Sequence, residues 1–366
     1  MKKKLTASQF YIFVFICGMA IKMFMLPALL LKISGRESII VVAFYLIIEF
    51  VCLVFLLLTI TKNPDKTLYQ ILNESIGKIM SRVVIVLFTL MLLLKLMLLL
   101  SEVKIFFSVS VYERISWEIM LIPLLVLCVA YATKPLTSLG RSAQIFMPLI
   151  VISTIVLSLL LIAKVPLDNI LPLFSQGLKT TKDGIFTFPF WFGDVSLLLV
   201  CLGKVKLSKN FMLKALIARV LSSVLVLTFS LIMFSTYADI TDLIDYGHNV
   251  SSMTQYSLGS HDYGRFDYII YCFWMLAVLI KILLTFFTIA QNIRFVANKN
   301  LTFIIPIILL VVVYILTTFI IKNENEVYQI ATGFVRYIFF PIQFLLPFFV
   351  FLLSLKRAKG ESNARE

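Results

Sequence analysis

The stretch from 184 to 204, GIFTFPFWFGDVSLLLVCLGK, is apolar enough to cross a bilayer but carries Pro189, Gly193 and Asp194 near its middle. Proline removes a backbone donor and clashes with the preceding turn, and glycine tolerates non-helical torsions. In hydrocarbon, interrupted backbone is tolerated only where it is buried in protein or lines a cavity. A carboxylate beside such a break therefore predicts a binding site within the membrane. The alternative from this segment alone is a kinked structural helix with a protonated or paired acid.

The composition is typical of a polytopic helical membrane protein embedded in a lipid bilayer. Of the 366 residues, 61% are hydrophobic and 14% are charged, against about 45–50% apolar and about 25% charged in soluble domains. The apolar runs are long and continuous, so we expect an all-α fold rather than a membrane β-barrel. Ten hydrophobic segments are predicted, near residues 9–33, 37–61, 83–108, 118–133, 142–165, 184–203, 212–237, 267–291, 301–321 and 329–355.

The basic residues indicate orientation. The formal net charge is +14, but Lys and Arg are concentrated in alternate connections, which fits the positive-inside rule rather than nucleic-acid binding. We therefore expect both termini to be cytoplasmic. The connection 62–82 spaces Leu68, Ile71, Leu72 and Ile76 as on one face of a surface helix.

The sequence lacks the common motifs of nucleotide-binding proteins, serine hydrolases and zinc proteins. There is no Walker loop, GxSxG, HExxH or Cys/His zinc pattern. Both histidines, His248 and His261, fall in the predicted outer connection 238–266, and the five cysteines fall in apolar runs without metal-like spacing. We expect neither an enzyme nor a bound metal or cofactor.

Ionisable residues inside the predicted spans need partners or water, because a bare charge at the bilayer centre costs about 2.5–3.5 kcal/mol. Three lysines (22, 95 and 281) but only two acids (49 and 194) lie deep in the predicted spans. The excess positive charge implies water, a neutral lysine or an acidic group on a ligand. Lys22 also lies between Gly18 and Pro27, which predicts a second interrupted helix. The residues identified are Lys22, Glu49, Lys95, Glu102, Lys104, Asp194, Lys281 and Arg336. Glu49 is the predicted counter-charge of the deep lysines, and Glu102 and Lys104 lie near the outer end of their segment, where we expect solvent to reach them.

The two interrupted segments, the first and the sixth, occupy corresponding positions of two five-helix halves. This pattern is typical of inverted-repeat transporters, in which the broken helices form the binding site. We predict one membrane domain over 1–366, with repeats at about 9–165 and about 184–355 and a cytoplasmic tail at 356–366.

Stretches in a particular order carry a family resemblance over nearly the whole chain. They are GMAIKMFMLPALL, NPDKTLYQILNESIGKIMS, DNILPLFSQGLK, FGDVSLLL, GRFDYIIYCFW and LPFFVFLLSLKR. The chain resembles the spore-germination permease family, the B subunits of germinant receptors, within the amino acid/polyamine/organocation superfamily.

The resemblance implies a LeuT-like bundle of ten transmembrane helices, a 5+5 inverted repeat with helices 1 and 6 broken. It also implies A and C partner subunits, the inner membrane of the spore, and a small germinant, often an amino acid. Backbone amides at half-helix N-termini would meet a ligand carboxylate, and Asp194 or free carbonyls would meet an amine. The implied ligand-binding residues are Gly18, Met19, Ala20, Lys22, Phe190, Trp191, Gly193 and Asp194. Independently of the resemblance, the depth of Glu49, Lys95 and Lys281 in the predicted spans indicates an intramembrane charge network.

The chain also departs from the family pattern. A glutamate typical of span six is Asp194 here, and Lys281 falls where sodium-coupled relatives place hydroxyl ligands, which implies sodium independence. Two other functions remain open: a proton-coupled amino-acid permease, and a non-binding assembly scaffold whose cavity is filled by Lys22 and Lys281.

Overall fold

The computed structural model describes residues 4–23, 26–110, 116–162, 177–237, 267–298, 301–320 and 324–363. The predicted outer connection 238–266, with both histidines, lies outside them. Within these ranges the chain is built of helices, joined by short turns. The α-helices are α1 Ala7–Met19, α2 Leu26–Ser34, α3 Ser38–Lys62, α4 Leu68–Ile76, α5 Lys78–Ser110, α6 Trp117–Ala132, α7 Leu136–Ile162, α8 Leu178–Thr187, α9 Phe211–Tyr237, α10 Asp267–Ala297, α11 Ile304–Ile315, α12 Glu324–Thr332 and α13 Val335–Asn363.

Long apolar helices make this an integral membrane protein. Among the described residues, six helical stretches are long and apolar enough to cross a membrane, and α8 with Pro189–Cys201 forms a seventh candidate bent by 54°. Three shorter apolar helices accompany them. The ten-span count and the inverted repeat therefore stay predictions. The six stretches are Leu26–Lys62, Lys78–Ser108, Leu136–Ile162, Phe211–Tyr237, Tyr271–Ala297 and Val335–Leu355.

The first predicted break is present. Helix α1 begins at a capping box, in which Thr6 Oγ1 accepts from Gln9 N at 3.3 Å and Gln9 Oε1 accepts from Thr6 N at 3.0 Å. It ends at Met19, and residues 20–23 form a turn before α2 begins at Leu26 with a proline in its first turn. Most of α1 is buried, so the break lies in the protein interior, as the sequence predicts.

The second predicted break is also present. Helix α8 is followed by the short 3₁₀ helix Pro189–Trp191 and then by the 3₁₀ helix Asp194–Cys201. Between them Gly193 has φ 72°, and a Cβ there would lie 2.1 Å from Gln343 Cγ. Both the torsion and the close approach of α13 therefore require glycine. The Gln343 amide donates to the Pro189 carbonyl at 2.5 Å, so α13 stabilises the interrupted backbone.

The predicted amphipathic helix between the second and third segments is α4. A capping box at Thr67 and Gln70 begins it, and Leu68, Ile71 and Leu72 are buried. Its Tyr69 hydroxyl donates to Asn292 Oδ1 of α10 at 2.8 Å. A partly buried hydrogen bond therefore joins α4, which lies between α3 and α5 in the chain, to α10.

Candidate functional site

The two breaks meet at a buried ion pair. Lys22, in the turn after α1, places its Nζ 3.0 Å from Asp194 Oδ2, at the start of the second 3₁₀ helix. Both side chains are almost fully inaccessible to solvent. Lys22 follows the end of α1 and Asp194 follows the left-handed Gly193, so the two interruptions bring the side chains together. The sequence prediction that both breaks belong to one region is thus matched by their geometry.

Asp194 joins three lysines from three elements. Lys95 Nζ of α5 lies 2.9 Å from its Oδ1, and Lys281 Nζ of α10 lies 2.9 Å from its Oδ2, the same oxygen that Lys22 approaches. All four side chains are buried. In a low-dielectric interior, charges this close are strongly coupled, so removing the single carboxylate would leave three mutually repelling ammonium groups.

Glu49 of α3 is the second carboxylate of the cluster. Both of its carboxylate oxygens accept from Lys22 Nζ at 2.8 Å, which confirms the predicted role of Glu49 as a counter-charge. Its Oε2 also accepts from the Arg219 guanidinium of α9. Arg219 is 1% exposed, and the sequence prediction missed it. The available signal was an arginine inside the apolar run FMLKALIARVLSSV.

Gly18 allows α9 to approach α1 closely. A Cβ at this position would lie 2.2 Å from Ser222 Oγ and 2.7 Å from Arg219 Nη1. Any larger residue would therefore push α9 away and shift the guanidinium that contacts Glu49. In this structure Gly18 positions the ion cluster from outside the cavity described below.

The interrupted backbone at the second break is already occupied by the protein's own charged groups. The Asp194 amide donates to Glu49 Oε1 at 3.0 Å, and the Phe192 carbonyl accepts from Lys95 Nζ at 2.5 Å. The family resemblance assigns a backbone amide to a ligand carboxylate and a free carbonyl to a ligand amine. Here Glu49 and Lys95 take those two positions.

A cavity of about 20 Å³ lies beside the cluster, enough for a water-sized group. Of the predicted ligand-binding residues, Phe190, Trp191 and Asp194 line it, and the predicted network residues Lys95 and Lys281 line it as well. Lys22 belongs to the cluster, while Gly18, Met19, Ala20 and Gly193 are outside the lining. The remaining lining residues are Ile21, Leu92, Leu98, Leu99, Ser196, Leu197 and Thr285.

Trp191 connects the cavity wall to a further carboxylate. Its indole N–H donates to Glu102 Oε1 of α5, while Glu102 Oε2 has no hydrogen-bond partner among the described residues. Glu102 is 4% exposed, so the sequence interpretation of a solvent-rescued residue near the outer end of its helix was wrong. The indole of Trp191 covers the carboxyl group instead.

Among the described ranges, no group of three or more His, Cys, Asp or Glu residues is arranged to hold a metal ion. The polar groups of the site are instead lysine, arginine and carboxylate side chains. Such a set binds small charged organic or inorganic groups through hydrogen-bonded ion pairs.

Comparison with known proteins identifies a family. A family model described as spore germination protein matches residues 4–327. No curated protein matches the chain. The matched region contains both breaks and every member of the ion cluster.

Proposed function

Since the chain belongs to the spore germination protein family, we propose that it is the B subunit of a germinant receptor, a transporter-type membrane protein that recognises a small germinant. The family and the long apolar helices establish a germination-related membrane permease. The proposal adds ligand recognition, with an amino acid as the leading class. It also adds A and C partner subunits and the spore inner membrane, with both chain termini cytoplasmic.

The observation that carries the proposal is the contact between the two breaks. Lys22 and Asp194 lie at the two interruptions and are 3.0 Å apart, and a cavity lined by Asp194 adjoins them. Membrane proteins keep irregular backbone and buried charges at such depth where a ligand or ion is handled. A purely structural helix pair would be more stable without either feature.

The occupied backbone groups suggest how a ligand would act. An amino acid carries a carboxylate and an ammonium, the same two groups that Glu49 and Lys95 present to the break. We expect a zwitterionic germinant to exchange with them at the Asp194 amide and the Phe192 carbonyl. Because the cavity is smaller than an amino acid, this exchange requires α5 to move relative to the break. That movement would be the signal passed to partner subunits.

A second candidate function is a non-binding assembly scaffold. The specific observation in its favour is the size of the cavity, about 20 Å³, since the protein's own lysines and carboxylates fill the space between the breaks. On this account the cluster holds the helices together and a partner subunit recognises the germinant.

Thermal unfolding of the purified protein with a panel of amino acids and other small germinants tests the proposal. A ligand bound only by the native state raises its stability by about 2.7 kcal/mol at a hundredfold excess over its Kd. A saturable rise with one germinant class supports the receptor function. No rise with any compound, while loss of the chain abolishes germination, supports the scaffold. Uptake of the same labelled compound into vesicles would indicate a working permease instead.

A further inference from the structure

We propose that the cavity beside Asp194 is a binding site for a small monovalent anionic group, held by the ammonium groups of Lys95 and Lys281. The anion has two possible sources, a free halide or the carboxylate of a small organic acid. The halide source is independent of the function proposed above. The carboxylate source rests on that function, since it would make the germinant an acid.

The first argument is the charge of the cluster. Among the described residues it contains four cationic side chains, those of Lys22, Lys95, Arg219 and Lys281. The carboxylates in contact with them are Glu49 and Asp194, so the formal charge is 4 − 2 = +2.

Glu102 does not remove this excess. It accepts a hydrogen bond from Trp191, which lines the cavity. Even when it is counted as ionised, one positive charge remains uncompensated. A buried excess charge is unfavourable unless a counter-ion neutralises it, water solvates it or one lysine loses its proton.

The second argument is the number of unused donors. An ammonium group carries three N–H donors. Lys281 Nζ has a single hydrogen-bond acceptor among the described residues, Asp194 Oδ2. Lys95 Nζ has two, Phe192 O and Asp194 Oδ1. Both side chains line the cavity, so unused cationic donors adjoin it from two different helices.

The hydroxyl groups that line the cavity do not compensate the excess positive charge of the lysines. Ser196 Oγ donates to Gly193 O at 2.9 Å, and Thr285 Oγ1 donates to Lys281 O at 2.8 Å. Both hydroxyls are neutral, and their protons are already directed to backbone carbonyls. The rest of the lining, which includes Trp191 and Phe190, is apolar apart from Asp194.

The size of the cavity selects the ligand. About 20 Å³ admits one water-sized group, which fits a halide or the head of a carboxylate and excludes a phosphate ester or a whole amino acid. Asp194 lines the same cavity and contacts both lysines. The bound anion would therefore share the two ammonium groups with the Asp194 carboxylate.

The test is thermal unfolding of the purified full chain at constant ionic strength in sodium gluconate. Chloride, bromide and formate are titrated separately, each replacing gluconate. We expect a saturable upward shift of the unfolding midpoint with at least one of the three. A shift with the halides indicates a free ion, and a shift with formate alone indicates a carboxylate site. No saturable shift with any of them overturns the proposal.

Variants locate the site. Lys281→Gln and Lys95→Gln should each lose the anion-dependent shift, while Lys209→Gln, on the exposed surface, should retain it. An unchanged shift in both buried variants overturns the proposal. If the buried variants do not fold, bromide anomalous scattering from wild-type crystals replaces them: a peak between Lys95 Nζ and Lys281 Nζ supports the site, and bromide bound only elsewhere contradicts it. A germinant response that proves independent of this chain would not alter the halide result.

Discussion

The backbone N–H of Asp194 donates to Glu49 Oε1 at 3.0 Å, so a carboxylate from α3 occupies the start of the 3₁₀ helix that follows the second break. The same Glu49 accepts from Lys22 at the first break. The Glu49 side chain thereby links the two breaks, so a conformational change at either break would alter the contacts of α3.

Glu49→Gln should strongly destabilise the protein. The change leaves Lys22 and Arg219 without their shared carboxylate in a fully buried site, and breaking a buried pair in this way costs about 3–5 kcal/mol. Unfolding of the purified protein in detergent measures the loss. Glu74→Gln, which removes a partly exposed partner of Lys66, is the matched control and should cost less than about 1 kcal/mol.

A double-mutant cycle measures the interaction energy between Arg219 and Glu49. Arg219→Gln combined with Glu49→Gln should cost less than the sum of the two single changes, because the double variant no longer buries the arginine without its counter-charge. Strict additivity would show that Arg219 and Glu49 do not interact.

Gly18→Ala should destabilise the contact between α1 and α9. The new methyl group would lie 2.2 Å from Ser222 Oγ, and overpacking of this kind costs about 1–3 kcal/mol. Adding Ser222→Gly removes the nearest obstacle and should recover part of the loss. If Gly18→Ala unfolds at the same midpoint as the wild type, α9 moves aside without any loss of stability.

Trp191→Phe should destabilise the protein through Glu102. The indole is the described donor to this buried carboxyl group, and a buried acceptor left without a partner costs about 1–3 kcal/mol. The double variant with Glu102→Met should be more stable than Trp191→Phe alone, because no polar group is then left unpaired. The same unfolding assay compares the two, and equal midpoints would rule out the proposed cause.

Tyr69→Phe should cost about 1 kcal/mol by removing the hydrogen bond from α4 to Asn292. Burial raises the pKa of Tyr69, with a smaller opposing effect of Arg294, so the phenol is a neutral donor at physiological pH. The ring stacks on Phe295 with centroids 4.6 Å apart, and phenylalanine retains that contact. A much larger loss would show that the hydroxyl does more than donate to Asn292.

Both breaks were predictable from the sequence because glycine and proline act through local torsions and missing donors. Glu49 was predictable as a partner because a buried charge demands one. The role of Gly18 was not, since it depends on the side chains that α9 brings to it. Arg219 was missed for a related reason. An apolar run that contains one arginine resembles any other transmembrane segment, and only the packing of α9 against α3 shows that the guanidinium contacts Glu49.

The occupied amide and carbonyl at the second break were likewise beyond prediction from sequence. The family resemblance implied that a ligand would meet these groups, and the fold brings Glu49 and Lys95 to them from α3 and α5. Sequence patterns locate backbone irregularities, whereas the groups that satisfy them are chosen by tertiary packing.

The dose dependence of germination in spores carrying Asp194→Asn tests the central claim most directly, with receptor abundance measured in the same spores. Asparagine keeps the shape but removes the charge that joins three lysines. We predict that the half-maximal germinant concentration rises roughly tenfold or more, equivalent to about 1.4 kcal/mol of binding free energy, or that the response is lost. Asp65→Asn, at an exposed pair with Lys4, should leave the response unchanged. An unaltered response to every germinant in the Asp194→Asn spores, at normal abundance, would contradict the account.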